Sequence, residues 1–296
     1  MTAHPMDLFP IRPLRFDAER LANADPVWSQ SCPDFSRFIN ALGLHVPFFE
    51  RFLISTLRTY RDDLRSGALR DDVRRIIGQE AHHAFNFEQW NAAMCARYPH
   101  LGEVEANAKE AFERAFARSD RRFRVGFTAG YETFTFLGGA IILDRYEELM
   151  GDADPSLRAL WVWHQVEEVE HGAVAFDVYQ ALFAEHEWYR KAMVLRAFAH
   201  IARETLLAFH AIVRSENRPL ISKLRSWRFF AGFARDLFCA SLPVLRRGYH
   251  PRRHPICTSG QNRIATAWRL YTERGGDAHF LDEDAVHTML AGTPST

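Results

Sequence analysis

Apolar residues recur every three or four positions along most of the chain, beginning with Phe38, Leu42, Phe49, Phe52, Leu53 and Leu57. That period predicts helices rather than strands. The first helix is expected from residue 35, with Pro47 kinking or dividing it. A second is expected over 71–97, between the breaker Ser66-Gly67 and the Tyr98-Pro99 pair. A third, over 104–117, carries more charges (Glu105, Lys109, Glu110, Glu113, Arg114) than apolar positions and should lie on the surface. The fourth (121–150) and fifth (156–184) flank Gly151-Asp152-Ala153-Asp154-Pro155, a turn that makes them antiparallel neighbours. Further helices are expected over 188–215, 220–245 and 259–274. No stretch alternates with period two for long enough to form a sheet, so the expected fold class is all-α, a helical bundle with additions.

Residues 1–34 contain Pro5, Pro10, Pro13, Pro26 and Pro33, which prevent helix and predict an extended arm lying on the body, outside the core. The expected organisation is that arm, a helical domain with added helices over 35–250, and an extension over 251–296 packed on the same domain. With 296 residues, 47% of them hydrophobic, the chain can build one large core. Its 37 basic and 37 acidic residues balance, so no overall field argues for a nucleic-acid partner. Cys32, Cys95, Cys239 and Cys257 form no CxxC pair, which fits a reducing compartment and excludes a zinc ribbon or a cysteine-held cluster. The first residues lack a basic stretch followed by an apolar run, and no membrane-length apolar segment follows, so a cytoplasmic location is expected. Trp227, Phe229, Phe230, Phe233, Leu237 and Phe238, flanked by Arg225, Arg228, Arg235, Arg246 and Arg247, have the composition of an interface-lying helix. Packing on the bundle, with the arginines reaching to water, is the favoured alternative to peripheral membrane contact.

The segment WVWHQVEEVEHGAVAFDVYQ (161–180) places charge and imidazole among residues whose pattern asks for burial. At about 100° per residue, His164, Glu168 and His171 fall within about 60° of one another on the fifth helix. Glu167 lies at the margin of that stripe, and Glu170 points nearly the other way, to be solvated or paired on another face. Glu80 and His83 repeat the Glu-x-x-His spacing on the second helix, while His82 and Glu88 face elsewhere. The helix before each pair carries a carboxylate where its apolar stripe should run, Glu50 in PFFERFL and Glu132 in GYETFTFLGG. Four carboxylates in a dry core repel one another and lose hydration, so cations must sit among them. Imidazole with carboxylate suits iron or manganese, accepts zinc, and is poor for calcium or magnesium. Glu50 and Glu132 are expected as terminal ligands and Glu80 and Glu168 as bridges, an assignment that spacing leaves open.

The order E…ExxH…E…ExxH at Glu50, Glu80/His83, Glu132 and Glu168/His171 resembles the ferritin-like di-iron carboxylate superfamily. Within it, the chain resembles the bacterial family of predicted metal-dependent hydrolases, over roughly 34–184 and on to YHPRRHP at 249–255. The spacing His164, Glu168, His171 is similar to that of the di-iron aryl-amine N-oxygenases and implies His164 as a seventh ligand, though nothing outside the motif carries their arylamine substrate over. His164 can instead orient a ligand carboxylate.

The resemblance implies two metal ions, iron expected and manganese or a mixed pair compatible, that activate dioxygen toward a small apolar or aromatic substrate. The chain has neither a nicotinamide fingerprint nor cysteines spaced for a cluster, so a separate electron donor is expected. Hydrolysis by a metal-bridged water is the alternative, and a metal-storage or redox-sensing bundle a third reading. Phe85, Phe87, Phe127, Tyr131, Phe134 and Phe136 are candidates to line an apolar pocket, against the plainer reading that they fill the core. His45, His82, His100, His200 and His210 lack partner spacing and are expected in capping, core or surface roles; His250 and His254 are turn-borne and candidates to cover the site entrance. A homodimer is compatible with the sequence.

Overall fold

The computed structural model describes residues 4–7, 9–258 and 261–292. Its secondary structure is helical apart from one isolated bridge, Ser29 with Ala153. In chain order the helices are α1 (Ala18–Asn23), α2 (Pro33–Gly43), α3 (Val46–Tyr60), α4 (Gly67–Arg97), α5 (Leu101–Arg118), α6 (Arg121–Asp144) and α7 (Tyr146–Met150). There follow α8 (Pro155–His171), α9 (Val174–Phe183), α10 (Glu187–Ser215), α11 (Leu220–Ser241), α12 (Pro255–Thr258), α13 (Arg263–Glu273) and α14 (Glu283–Ala291).

Four of these form the centre: α3 packs on α4, α6 on α8, and contacts of α3 with α6 and of α4 with α8 close the ring. Polar caps place the ends of α6 and α8. Asp120 accepts from the Phe123 amide at 2.7 Å to start α6, and Asp154 accepts from Ser156 and Leu157 to start α8. Pro155 and Pro47 occupy first-turn positions of α8 and α3, where a missing N–H costs nothing, so Pro47 divides the first expected helix in two. The fourth expected helix breaks at Arg145. The fifth breaks at Gly172, where a Cβ would come 2.8 Å from Phe136. Between Ser156 and His171 every residue of α8 is buried, so this helix is surrounded on all sides.

Outer helices cover the ring. On α6, a Cβ at Gly130 would lie 2.6 Å from the Met193 carbonyl, so this glycine lets α10 approach at backbone distance. As expected, α5 lies on the surface and buries only Leu101, Ala108 and Phe112. The aromatic side of α11 packs on α2, with Phe38 4.6 Å from Phe233 and 5.9 Å from Phe229, while Leu220, Ile221 and Leu224 stay exposed. Among the described residues no helix is long and apolar enough to cross a membrane. The helix expected from residue 259 begins at Arg263; residues 259 and 260 lie outside the described residues.

The amino-terminal arm departs from expectation in two respects. It contains α1, and Met6, Phe9, Phe16, Leu21 and Trp28 belong to the hydrophobic core. An extended segment can be buried only if its backbone polar groups find partners. Amide side chains from the helices supply them. Asn86 accepts from the Phe16 amide (2.9 Å) and donates to the Leu14 carbonyl (2.9 Å), Asn40 donates to the Pro26 carbonyl (2.8 Å), and Gln79 donates to the Pro10 carbonyl (3.1 Å).

Candidate metal centre

The four central helices bring all seven sequence-derived donors together. Glu50 comes from α3, Glu80 and His83 from α4, Glu132 from α6, and His164, Glu168 and His171 from α8. Each is at most 4% exposed. Their ligand atoms fall into two groups, Glu50, His83, His164 and Glu168, and Glu80, Glu132, Glu168 and His171, and within each group the atoms lie within 4.8 Å of one another. Glu168 belongs to both. Its Oε1 is 3.2 Å from His164 Nε2 and 3.5 Å from His83 Nδ1, and its Oε2 is 3.3 Å from His171 Nε2. Glu80 also faces two ways, with Oε2 3.5 Å from His83 Nδ1 and Oε1 3.1 Å from His171 Nε2. Glu50 approaches the histidines of the first group, at 3.4 Å from His164 and 3.9 Å from His83, and Glu132 approaches His171 at 3.4 Å.

Most of these atoms have nothing else to bind. Both oxygens of Glu50 and of Glu80, Oε2 of Glu132, Nδ1 of His83 and Nε2 of His164 are buried without a hydrogen-bond partner. A buried, unsatisfied carboxylate is too costly to leave so, and the donor set fits two cations. Protons are the competing occupants. Burial, reinforced by the charge of Glu80, holds the Glu50 carboxyl well above its ordinary range, and burial does the same for Glu132. Burial opposes charging of His83 and His171, but the surrounding carboxylates outweigh it and raise both. His164 is pushed down to about 3, chiefly by burial, so its ring is neutral and able to donate a lone pair.

Glu167, which the sequence pattern left at the margin, and Gln79, Thr135 and Gln165, which it did not single out, contact the donor side chains. Glu167 accepts from His83 Nε2 at 2.9 Å, and Gln79 Oε1 accepts from His171 Nδ1 at 3.0 Å. Thr135 donates to Glu132 Oε1 at 3.3 Å. His164 Nδ1 lies 3.0 Å from Gln165 Nε2, an amide nitrogen that can only donate and so places the ring proton on Nε2; ligation through Nε2 requires the amide to turn its oxygen to Nδ1 instead. Glu170 faces away from the ligand stripe and takes the second of its two expected states, buried and paired on another face with Arg12 and Arg269. The outward placement of Glu88 agrees with the structure, where it pairs with Arg51 on the surface.

Of the aromatics expected around a pocket, only Tyr131 and Phe134 line the cavity beside His164, which measures about 50 Å³. Phe85 is exposed under Arg15, Phe87 packs edge-on to His164, Phe127 stands among Phe52, Phe112 and Phe123, and Phe136 packs against His254. The remaining wall includes Phe49, Ile142, Trp161, Ile201, Phe233 and Leu237, with Gly138 at an open position where a Cβ would meet nothing within 4 Å. His45 is a wall residue too. Contrary to a satisfied core or capping role, its Nδ1 is buried without a partner, and burial pushes its pKa down to about 3. A larger groove of about 500 Å³, lined by Arg51, Glu88 and Lys109 among others, contains none of the seven donors. His250 and His254 brace the fold, contacting Asp177 and the Ala240 carbonyl, each at 2.9 Å.

The sequence profile of a family described as "predicted metal-dependent hydrolase" matches residues 10–255. The chain belongs to this family. The matched span of this metal-dependent hydrolase family contains all seven donors together with Arg12, Gln79 and Glu167. No curated protein and no solved structure matches the chain.

Proposed function

We propose that the chain is a dinuclear metal enzyme of the ferritin-like di-iron kind, with Glu80 and Glu168 bridging two ions and Glu50 and Glu132 each serving one. Its reaction is the oxidation of a small, apolar organic substrate by dioxygen, with a separate protein or chemical reductant as electron source. The carrying observation is the pairing of two buried donor groups that share Glu168 with an adjoining cavity whose wall contains no Lys, Arg, Asp or Glu. Such a wall offers a phosphate or carboxylate no ionic partner and suits an apolar group. Two ferrous ions would supply electrons and open coordination positions to dioxygen. The chain's own residues position those ions, keep water out by burial, and admit the substrate's reacting end beside His164.

Hydrolysis is the second reading, favoured by the description of the family itself. The same donors can hold two zinc ions and a bridging water. Loading with ferrous iron without oxygen, then mixing with dioxygen, separates the two. Oxidative chemistry predicts a transient visible band and oxygen uptake that grows on adding small aromatic or aliphatic compounds. A zinc-loaded protein that turns over esters or phosphoesters without oxygen, and an iron-loaded one that shows no such band, overturns it.

Gly138→Leu tests the cavity. The side chain enters open space, so metal stoichiometry and thermal stability should stay as in the wild type, while substrate-dependent oxygen uptake falls at least about tenfold, a loss of about 1.4 kcal/mol in transition-state binding. Unchanged uptake places the substrate elsewhere.

A further inference from the structure

The stretch Pro10-Ile11-Arg12 of the amino-terminal arm crosses α4 directly behind the ligand histidines. Ile11 sits over Gly78, where a Cβ would come 2.5 Å from its Cδ1. On one side of this crossing, Arg12 donates to Glu167 Oε1 at 3.0 Å and to both oxygens of Glu170 at 2.7 and 3.0 Å. The other oxygen of Glu167 meets His83 Nε2. On the opposite side, the Pro10 carbonyl receives the Gln79 amide N–H, and Gln79 Oε1 meets His171 Nδ1.

Donor and acceptor chemistry makes each path directional. A guanidinium only donates and a carboxylate only accepts, so with one Glu167 oxygen held by Arg12 the other accepts from His83, which must present N–H at Nε2. Its lone pair then lies on Nδ1, the atom facing Glu50, Glu80 and Glu168. The Pro10 carbonyl only accepts, so it turns the Gln79 amino group toward itself and the Gln79 oxygen toward His171. That oxygen requires N–H at His171 Nδ1 and leaves the lone pair on Nε2, which faces Glu80, Glu132 and Glu168. Once neutral, the two histidines would thus ligate through different nitrogens, and the arm selects which in both.

We propose that the arm is a positioning element of the metal centre: Arg12, through Glu167, sets the ligating nitrogen of His83 for one ion, and Pro10, through Gln79, sets that of His171 for the other. This rests on the metal reading above. Arg12 and Gln79 belong to neither donor group, and each acts on a different one.

The test is two-step calorimetry of zinc binding to the full chain stripped by chelator, with 15N histidine spectra of the zinc-loaded protein. Arg12→Gln should weaken one of the two steps by about ten- to a hundredfold and disturb the Nε2–H signature of His83. Gln79→Leu should weaken the other step and disturb the Nδ1–H signature of His171, and the two effects should add in the double variant. Arg12→Lys, which keeps the charge but cannot fork between Glu167 and Glu170, should lose less than Arg12→Gln at the same step. It also supplies the reading if Arg12→Gln does not fold. Equal weakening of both steps by either substitution, or histidine signatures identical to wild type, overturns the proposal while leaving the metal centre intact. Wild-type protein that binds no zinc or iron removes the metal reading itself.

Discussion

Glu168→Ala should leave the purified protein with almost no bound transition metal, whereas the wild type should carry two ions per chain. Glu168 is the one side chain present in both donor groups, with a different oxygen directed at each. Its removal takes a ligand from both positions and a negative charge from between two cations. The remaining carboxylates would then have to hold two divalent ions at close range with Glu80 alone between them to screen their repulsion. Glu168→Gln preserves volume but not charge and should fail nearly as badly. Glu88→Ala is the matched control, because Glu88 lies on the same helix as two donors yet pairs with Arg51 at the surface, and its metal content should equal that of the wild type. Elemental analysis of the wild type and the three variants, with circular dichroism to confirm helicity, decides the matter. Full stoichiometry in Glu168→Ala would refute the bridging role.

The second large effect is a pH-dependent gap between loaded and stripped protein. In the stripped protein Glu50, Glu132, His83 and His171 all have pKa values raised in the folded state. A raised group contributes stability that is complete below its unfolded pKa and is lost as pH climbs through the folded one. Unfolded values near 4.5 for Glu and 6.5 for His therefore open the window, and stripped protein should lose stability from about pH 5 upward. Glu80 and Glu168, lowered by their histidine neighbours in spite of burial, act in the opposite sense and matter only under acid. Ions bind the deprotonated site, so their affinity rises over the same range. Thermal melts should show the gap widening from pH 5 to pH 8 and reaching on the order of 10 °C with saturating metal. A gap that is constant, or that closes as pH rises, contradicts this.

The seven donors were legible because helical spacing is local: Glu80/His83 and Glu168/His171 are three residues apart, and Glu50 and Glu132 interrupt otherwise apolar stripes. Helix ends were legible where Pro47, Asp120 and Asp154-Pro155 supply strong local chemistry. Breaks at Arg145 and Gly172 were not: Arg145 carries no breaker's signature, and Gly172 is an isolated glycine inside a helical pattern, a position a helix tolerates, whose need comes from Phe136 on α6. The arm was misread for the same reason. Its prolines report only that it is not helical, whereas its burial depends on Asn40, Gln79 and Asn86, and Arg12 lies 155 residues from Glu167. Buried amides on otherwise apolar helix faces were the available signal, since a buried Asn or Gln must be answering some other backbone.

The exposed apolar residues of α11 and the unpartnered Nδ1 of His45 mark opposite ends of one physical contrast. At the surface, apolar side chains in water are ordinary. In the interior, a nitrogen without a partner is costly, and the wall of the cavity beside His164 is one place where this chain carries that cost.

Two cations are expected within the ring of α3, α4, α6 and α8. The most direct test is anomalous diffraction from crystals of the iron-loaded protein, recorded on both sides of the metal's absorption edge. Two peaks about 3.5–4 Å apart are expected, one among Glu50, His83, His164 and Glu168 and the other among Glu80, Glu132, Glu168 and His171, with Glu168 touching both. A single peak, or ions found only outside those residues, would contradict this.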